Sequence, residues 1–364
     1  MNLCGNLHSI MRASANFSSR DRQVFNWLIT GVILIILIVV VGGITRLTQS
    51  GLSMVKWEPI MGTLPPMNQQ EWDEAFSLYQ QSPEFHHYNA HFTLSDFKAI
   101  FFWEYLHRLI ARLIGLVFII PCIVFWVRKD FSAKTKRRVL IIFGLGTLQG
   151  ILGWVMVKSG LVDQPHVSHY RLAAHLITAL GLMTYIYWVA IDLKYQVTTR
   201  SRVKAIKWMK WFFVGIVLQI IYGAFVAGLK AGLMYNTFPK MGSEWFPETF
   251  ANIYNRDGFM SLLESGGLVQ FVHRMLAITI LCSAIIFWFN YRKADFSIIQ
   301  RYLLNFFVLT ILLQVVLGIY TLIFAVPVEL GVLHQFGAIV VLLSATTLTF
   351  SLRGKKKSHT HANI

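Results

Sequence analysis

Between Arg22 and Arg46 the chain carries no charged side chain. As a helix rising ~1.5 Å per residue, that run crosses a bilayer core of ~30 Å. Lipid offers no partners to backbone N–H and C=O groups, and a helix satisfies them internally. Seven further apolar runs, near 99–127, 139–158, 170–191, 210–230, 268–290, 302–324 and 332–352, join the first at 24–47 to predict eight spans. Charged residues make up 14% of the chain, where a soluble domain carries roughly a quarter. The fold class is therefore an all-α integral membrane protein. The first run is too long for the apolar part of a signal peptide and lacks a small-residue cleavage site, so it is read as retained.

A net charge of +16 suggests nucleic acid until its distribution is considered. Arg128, Lys129, Lys134, Lys136, Arg137 and Arg138 fill the connection between spans two and three. Lys194, Arg200, Arg202, Lys204, Lys207 and Lys210 fill the one between four and five, and Arg353 with Lys355–Lys357 follows span eight. The alternate connections are long and mixed or acidic, as in Glu58, Glu71, Asp73, Glu74, Glu84 and Asp96. The positive-inside rule places both termini and the basic loops in the cytoplasm, with anionic lipid as the partner and no nucleic acid. Cys4 lies in the tail, and Cys122 and Cys282 lie within spans as expected buried packing residues; no outer-loop disulfide is predicted.

The chain repeats itself. EYLHRLIA (Glu104–Ala111) returns as QFVHRMLA (Gln270–Ala277), and LQGILG (Leu148–Gly153) as LQVVLG (Leu313–Gly318). SGLSM (Ser50–Met54) and PIMG (Pro59–Gly62) return as AGLMY (Ala231–Tyr235) and PKMG (Pro239–Gly242). The order implies two tandem four-helix bundles related by a pseudo-two-fold axis along the membrane normal. The predicted divisions are a tail at 1–23, an N-terminal half at 24–195, a C-terminal half at 196–353 and a basic tail at 354–364. Each half opens with a long outer loop. Asn68 and Glu71 form a helix-capping pair ahead of Trp72, Phe76 and Tyr79 on one face, and Trp245, Phe246, Phe250 and Tyr254 mark the second loop.

Of twelve histidines, four lie inside spans: His107, His175, His273 and His334, in spans two, four, six and eight. All four even spans start at the outer face, so the imidazoles share one leaflet. Intramembrane ionisable groups are costly and mark sites. Two histidines on facing helices supply both axial ligands of a haem iron, which predicts one haem per half. The other histidines, including His86, His87, His91, His166 and His169, are expected in solvent. Arg108 and Arg274 follow ligand candidates and either pair with a haem propionate, snorkel, or bind a neighbouring carboxylate. Glu104 lies one turn from His107 on the same face, while its counterpart is the neutral Gln270. Near a haem edge Glu104 accepts protons or orients water; its alternative role is a salt bridge to an arginine.

GGITRLTQSGLSMVKWEP (Gly42–Pro59), EYLHR, YRLAAHL (Tyr170–Leu176), QFVHR and LHQFGA (Leu333–Ala338) together resemble the haem A synthases over nearly the whole chain. The resemblance implies oxidation of the C8 methyl of haem O, through a hydroxylated intermediate, to the formyl of haem A for terminal oxidases. It implies that His273 and His334, with Arg274, hold a resident haem b, that His107 and His175, with Arg108, bind haem O, and that Glu104 is catalytic. The chain lacks the outer-loop cysteine pair of some members and so resembles the proteobacterial and mitochondrial form. That implies a bacterial plasma membrane, or alternatively the mitochondrial inner membrane. Expected partners are an electron-transfer protein, the haem O farnesyltransferase and the terminal oxidase assembly pathway, with a homo-oligomer left open. Two other readings stand beside it: a two-haem b-type cytochrome serving only electron transfer, and a transporter, which the even-numbered repeats and the single deep proline, Pro121, disfavour.

Overall fold

The computed structural model describes residues 11–13, 17–55, 64–160, 167–197 and 202–354. Cys4, the Pro59–Gly62 echo, His166 and Lys355–Lys357 lie outside the described residues. In chain order the main elements are β1 (Met11–Ala13), α1 (Ser19–Leu47), α2 (Gln69–Gln80), α3 (Leu94–Val127), α4 (Ala133–Gly160), α5 (His169–Lys194) and β2 (Tyr195–Val197). They continue as α6 (Val203–Gly228), α7 (Glu248–Asp257), α8 (Gly266–Tyr291), α9 (Ile298–Ile323) and α10 (Val328–Leu352). Eight of these helices are long and apolar enough to cross a membrane, as the sequence predicts.

Several helices begin before their apolar runs. The α3 helix starts at Leu94, where Thr93 and Asp96 form a capping box, and α6 starts at Val203. Hydropathy marks the part of a helix that lipid covers, and polar first turns extend beyond it. Capping boxes also open α1 (Ser18 with Asp21) and α9 (Ser297 with Gln300). The long-loop helix α2 is capped by Asn68, which accepts from the Glu71 N–H at 2.9 Å. One feature is additional to the all-α expectation: β1 pairs antiparallel with β2, a three-residue ribbon too short to show a sequence period.

The helices do not separate cleanly at the repeat boundary. α1, α5, α6 and α10 form a closed inner ring, each packed on the next, with α10 also touching α5. α3 packs on α1, α4 on α5, α8 on α6, and α9 on α10. α8 and α9 also pack on each other, whereas α3 and α4 barely touch.

Apolar packing is concentrated at the short-loop end. Leu28, Met183, Met209, Phe287, Phe307 and Leu348 are buried in one cluster drawn from both halves of the sequence. In lipid such contacts rest on close packing and interhelical hydrogen bonds rather than on water exclusion. Tyr187 of α5 bonds Thr347 of α10 at 2.8 Å, and Gln300 of α9 donates to the Ser351 carbonyl at 2.8 Å. Trp27 is the aromatic hub of α1. It stacks on Phe118 at 5.1 Å, meets Phe125 edge-on at 5.6 Å, and donates its indole N–H to the Val117 carbonyl at 2.9 Å.

Replacing Trp27 by alanine removes that hub, and we expect a loss of about 3 kcal/mol. Unfolding in detergent micelles measures this loss, and an unchanged stability would contradict the packing described.

Candidate functional site

The bundle is hollow from its long-loop end down to the apolar cluster, whose Trp27 and Leu28 also line the cavity. A cavity of about 2220 Å³ is lined by His107, His175, His273 and His334 together with Glu104 and Gln270. It is more than twice the usual ~300–1,000 Å³ of a small-molecule pocket. His107 and His175 lie within electrostatic reach of each other, and so do His273 and His334. The rings expected to pair within each half thus lie near each other on the wall of one cavity.

Each imidazole is seated against a glycine of the preceding membrane-spanning helix. A Cβ added at Gly42 of α1 would lie 3.0 Å from His107 Cε1, and one at Gly153 of α4 would lie 3.2 Å from His175 Cε1. The same substitution at Gly223 of α6 and Gly318 of α9 would lie 3.2 Å and 2.7 Å from the Cε1 atoms of His273 and His334. At Gly318 an added side chain would force a shift, and at the other three the ring would have to give by a few tenths of an ångström. One helical turn before three of these glycines stands a glutamine. Gln149, Gln219 and Gln314 each place Nε2 3.2 Å from a ring nitrogen, of His175, His273 and His334 respectively. At the fourth position, before Gly42, stands Ile38.

The site leaves polar atoms unsatisfied. Oε1 of Gln149, Gln219 and Gln314, and Nδ1 of His107 and His273, are buried without a hydrogen-bond partner. Such atoms are costly in a dry interior. Four imidazoles around one cavity, three of them with an adjacent amide to orient the ring, are a donor set suited to porphyrin iron. The residues present thus fit haem, and the His pairs would hold it.

Glu104 is 3% exposed and held at three points. Ser53 Oγ and the Met54 N–H donate to Oε2 at 2.7 and 2.8 Å, and Arg108 donates to Oε1 at 2.5 Å. Arg108 also donates to the Met54 carbonyl at 3.0 Å. The second half repeats this clasp without the carboxylate. Gln270 donates to the Ala231 carbonyl at 2.8 Å, and Arg274 to the Tyr235 carbonyl at 2.7 Å and to Gln270 Oε1 at 3.2 Å. Aligning Gly42 with Gly223 makes Met54 the counterpart of Tyr235, so both arginines grip the same loop carbonyl. Of the alternatives open for Arg108 and Arg274, these donors are engaged by Glu104, Gln270 and loop backbone, while both side chains still line the cavity.

Two expectations are corrected. His169 is not in solvent: it is 8% exposed, with its Cβ close to Gly228 and its ring edge-on to Phe225 at 5.1 Å, because α5 begins against the end of α6. Cys282 is exposed on the outside of α8 rather than buried, and Cys122 is half-buried. His86, His87 and His91 are exposed, as expected. The glycine seats and glutamines were absent from the predicted site. For Gln149 with Gly153 and Gln314 with Gly318 the signal is the repeated Leu-Gln-x-x-Leu-Gly; Gln219 with Gly223 carries Tyr222 in its fifth position, and Gly42 has no glutamine before it.

A model of the cytochrome oxidase assembly protein family (COX15-CtaA) matches residues 25–346. A haem A synthase of Flavobacterium psychrophilum is 43% identical over 331 residues, covering 90% of this chain and 97% of that one. A haem A synthase of Caulobacter vibrioides is 40% identical, covering 92% and 98%. A haem A synthase–mitochondrial ferredoxin fusion protein of Schizosaccharomyces pombe is 40% identical, covering 90% of this chain and 59% of that one.

The glycine seats generate a sharp contrast. Gly318→Ala places a methyl against His334 and is expected to lower retained haem by about tenfold or more. Gly146→Ala, on the same cavity wall with nothing within 4 Å of the added carbon, leaves it unchanged. Haem absorbance per purified protein measures both, and equal effects would mean the seats do not position the ring.

Proposed function

The chain belongs to the haem A synthase family of cytochrome oxidase assembly proteins, and we propose that it oxidises the C8 methyl of haem O to the formyl of haem A. It is a multi-pass membrane protein of haem A synthesis. The observation that carries the finer reading is the asymmetry of charge between the two sites. Two histidine pairs with the same glycine backing occupy one cavity, and only the first pair has a buried carboxylate above it.

On this reading His273 and His334 hold a resident haem b, and His107 and His175 grip the iron of haem O. When bound, the haem groups supply the redox chemistry. The chain's own residues orient, exclude water and handle protons. The clasp of Ser53, Met54 and Arg108 fixes where the Glu104 carboxylate stands, so a substrate edge brought against it meets an acceptor already in place. In the second half Gln270 fills the same place with a neutral amide, suited to a group that stays unchanged. The weak contact between α3 and α4 supports lateral entry of a substrate with an isoprenoid tail, because the matching pair α8 and α9 is closed.

The pseudo-two-fold arrangement of the halves belongs to the same proposal. With Gly42 aligned to Gly223, Arg46 is the counterpart of Ala227 and Gln49 of Lys230. Arg46 donates to the Ala227 carbonyl at 3.0 Å, and Lys230 donates to Gln49 at 3.1 Å. Residues that touch their own repeat mates lie near such an axis. The basic short loops support a reading with both termini in the cytoplasm of a bacterial cell. The ferredoxin in the name of the Schizosaccharomyces pombe fusion relative supports a ferredoxin as electron-transfer partner.

Glu104→Gln should keep its haem yet lose roughly 10²-fold or more in formyl-haem production. Pigments extracted from cells co-expressing a haem O source give the readout. A cytochrome that only passes electrons would leave the pigments unchanged with or without the protein. His334→Ala should remove the resident b-type spectrum, and its survival would break the assignment of that pair.

A further inference from the structure

At the long-loop end of the bundle a second carboxylate is buried, and the ligation scheme does not use it. Glu84 is 7% exposed, sits between α2 and the π-helical turn Phe85–Asn89, and lines the same cavity as Glu104. An aromatic latch puts it there. Tyr79 is fully buried, stacks on Phe97 of α3 at 5.1 Å and turns its hydroxyl to Glu84 at 3.4 Å. Asn89 donates to that hydroxyl at 2.6 Å, and Phe85 closes edge-on over the Tyr79 ring at 5.8 Å. This pins α2 to the first turns of α3 and holds Glu84 at the mouth of the first half.

Glu84 and Glu104 differ in how they are held. Glu104 has three short donors, one of them a guanidinium. Glu84 has one long phenolic bond, and among the described residues no basic group comes within 4 Å of it. The charged and titratable groups facing it are Glu104 of α3, Arg46 at the end of α1, Lys230 after α6 and Tyr79 of α2. Both cations are engaged elsewhere. Arg46 donates to the Ala227 and Gly228 carbonyls, and Lys230 to Gln49 while lying 5.4 Å over the Tyr88 ring. Burial first, then repulsion from Glu104, pushes the Glu84 carboxyl up to about 7. In the second long loop Glu244, Glu248, Asp257 and Glu264 are all exposed.

We propose that Glu84 exchanges protons between the cavity around Glu104 and solvent at the long-loop face. This rests on the proposed methyl oxidation only in that such a reaction releases protons into a water-poor space. The step is a proton transfer. A donor O–H in the cavity loses its proton, a Glu84 carboxylate oxygen takes it up as a carboxyl O–H, and solvent water then removes it. No electrons move, and Glu84 ends each cycle as it began. Its freedom from a tight ion pair is what permits both protonation states, whereas Glu104 is held in place by three short donors, one of them a guanidinium.

Infrared titration of the purified full-length protein tests this without turnover. A protonated-carboxyl band with a midpoint near 7 is expected in the parent, to persist with a lower midpoint in Glu104→Gln, which removes the neighbouring charge, and to vanish in Glu84→Gln. Persistence of the band in Glu84→Gln overturns the proposal. In product assays Glu84→Gln should lose roughly tenfold and its pH dependence around 7, with Glu84→Asp restoring part. An unchanged pH profile overturns it as well. A parent that makes no formyl haem would instead sink the proposed reaction, with the infrared result still deciding Glu84. Folding has its own check. The folded state binds this proton more tightly than the unfolded chain, whose ordinary value is 4.5, so the stabilisation is full below 4.5 and is lost as pH rises through about 7. Glu84→Gln should lack that part of the pH dependence of thermal stability; an identical dependence in both proteins would show that Glu84 does not titrate there.

Discussion

The structure depends on fitting imidazoles into a membrane interior without filling the space they must face. A polar ring in lipid needs a partner, and a ring that binds an exogenous group must leave one nitrogen free for it. Glycine resolves the conflict sterically. At Gly42, Gly153, Gly223 and Gly318 the neighbouring helix comes close enough to brace the Cε1 edge of a histidine and still leaves a cavity on its other side. Small residues let membrane helices approach closely. Here they let a side chain occupy the contact instead of a second backbone.

Around that repeated seat the molecule divides its labour along the membrane normal. Both halves of the sequence contribute to the apolar cluster at one end, and to the cavity at the other. The inner ring of α1, α5, α6 and α10 therefore joins the halves where each alone would expose an apolar face. The two His-Arg pairs serve the cavity end. Their arginines tie the loop that follows α1 and α6 to the helix that follows it, through the Met54 and Tyr235 carbonyls. Difference is then introduced sparingly: a carboxylate at Glu104, an isoleucine in place of a glutamine at Ile38, and a latched acidic loop at Glu84.

Much of this was legible in the sequence because lipid enforces simple rules. The eight spans and the capped surface helix after Asn68 follow from hydropathy and capping chemistry, and repeat order brings His107, His175, His273 and His334 to one cavity wall. What escaped depends on close approach between helices distant in sequence. Gly153 and Gln149 read as a repeat echo until α4 is packed on α5. His169 reads as a loop residue until Gly228 is placed over it. Cys282 reads as buried because hydropathy does not say which face of α8 meets lipid. Hydropathy likewise missed the polar first turns of α3 and α6, and three-residue strands carry no period to detect.

The central claim is that the four rings form two separate pairs of axial ligands, one within each half. Electron paramagnetic resonance of the oxidised, haem-loaded protein tests it most directly, because each bis-histidine iron gives its own low-spin signal. The account predicts that His273→Ala and His334→Ala abolish one and the same signal while leaving the other intact. Loss of that signal on changing His107 or His175 instead would mean the ligands cross between halves, and the account would fail.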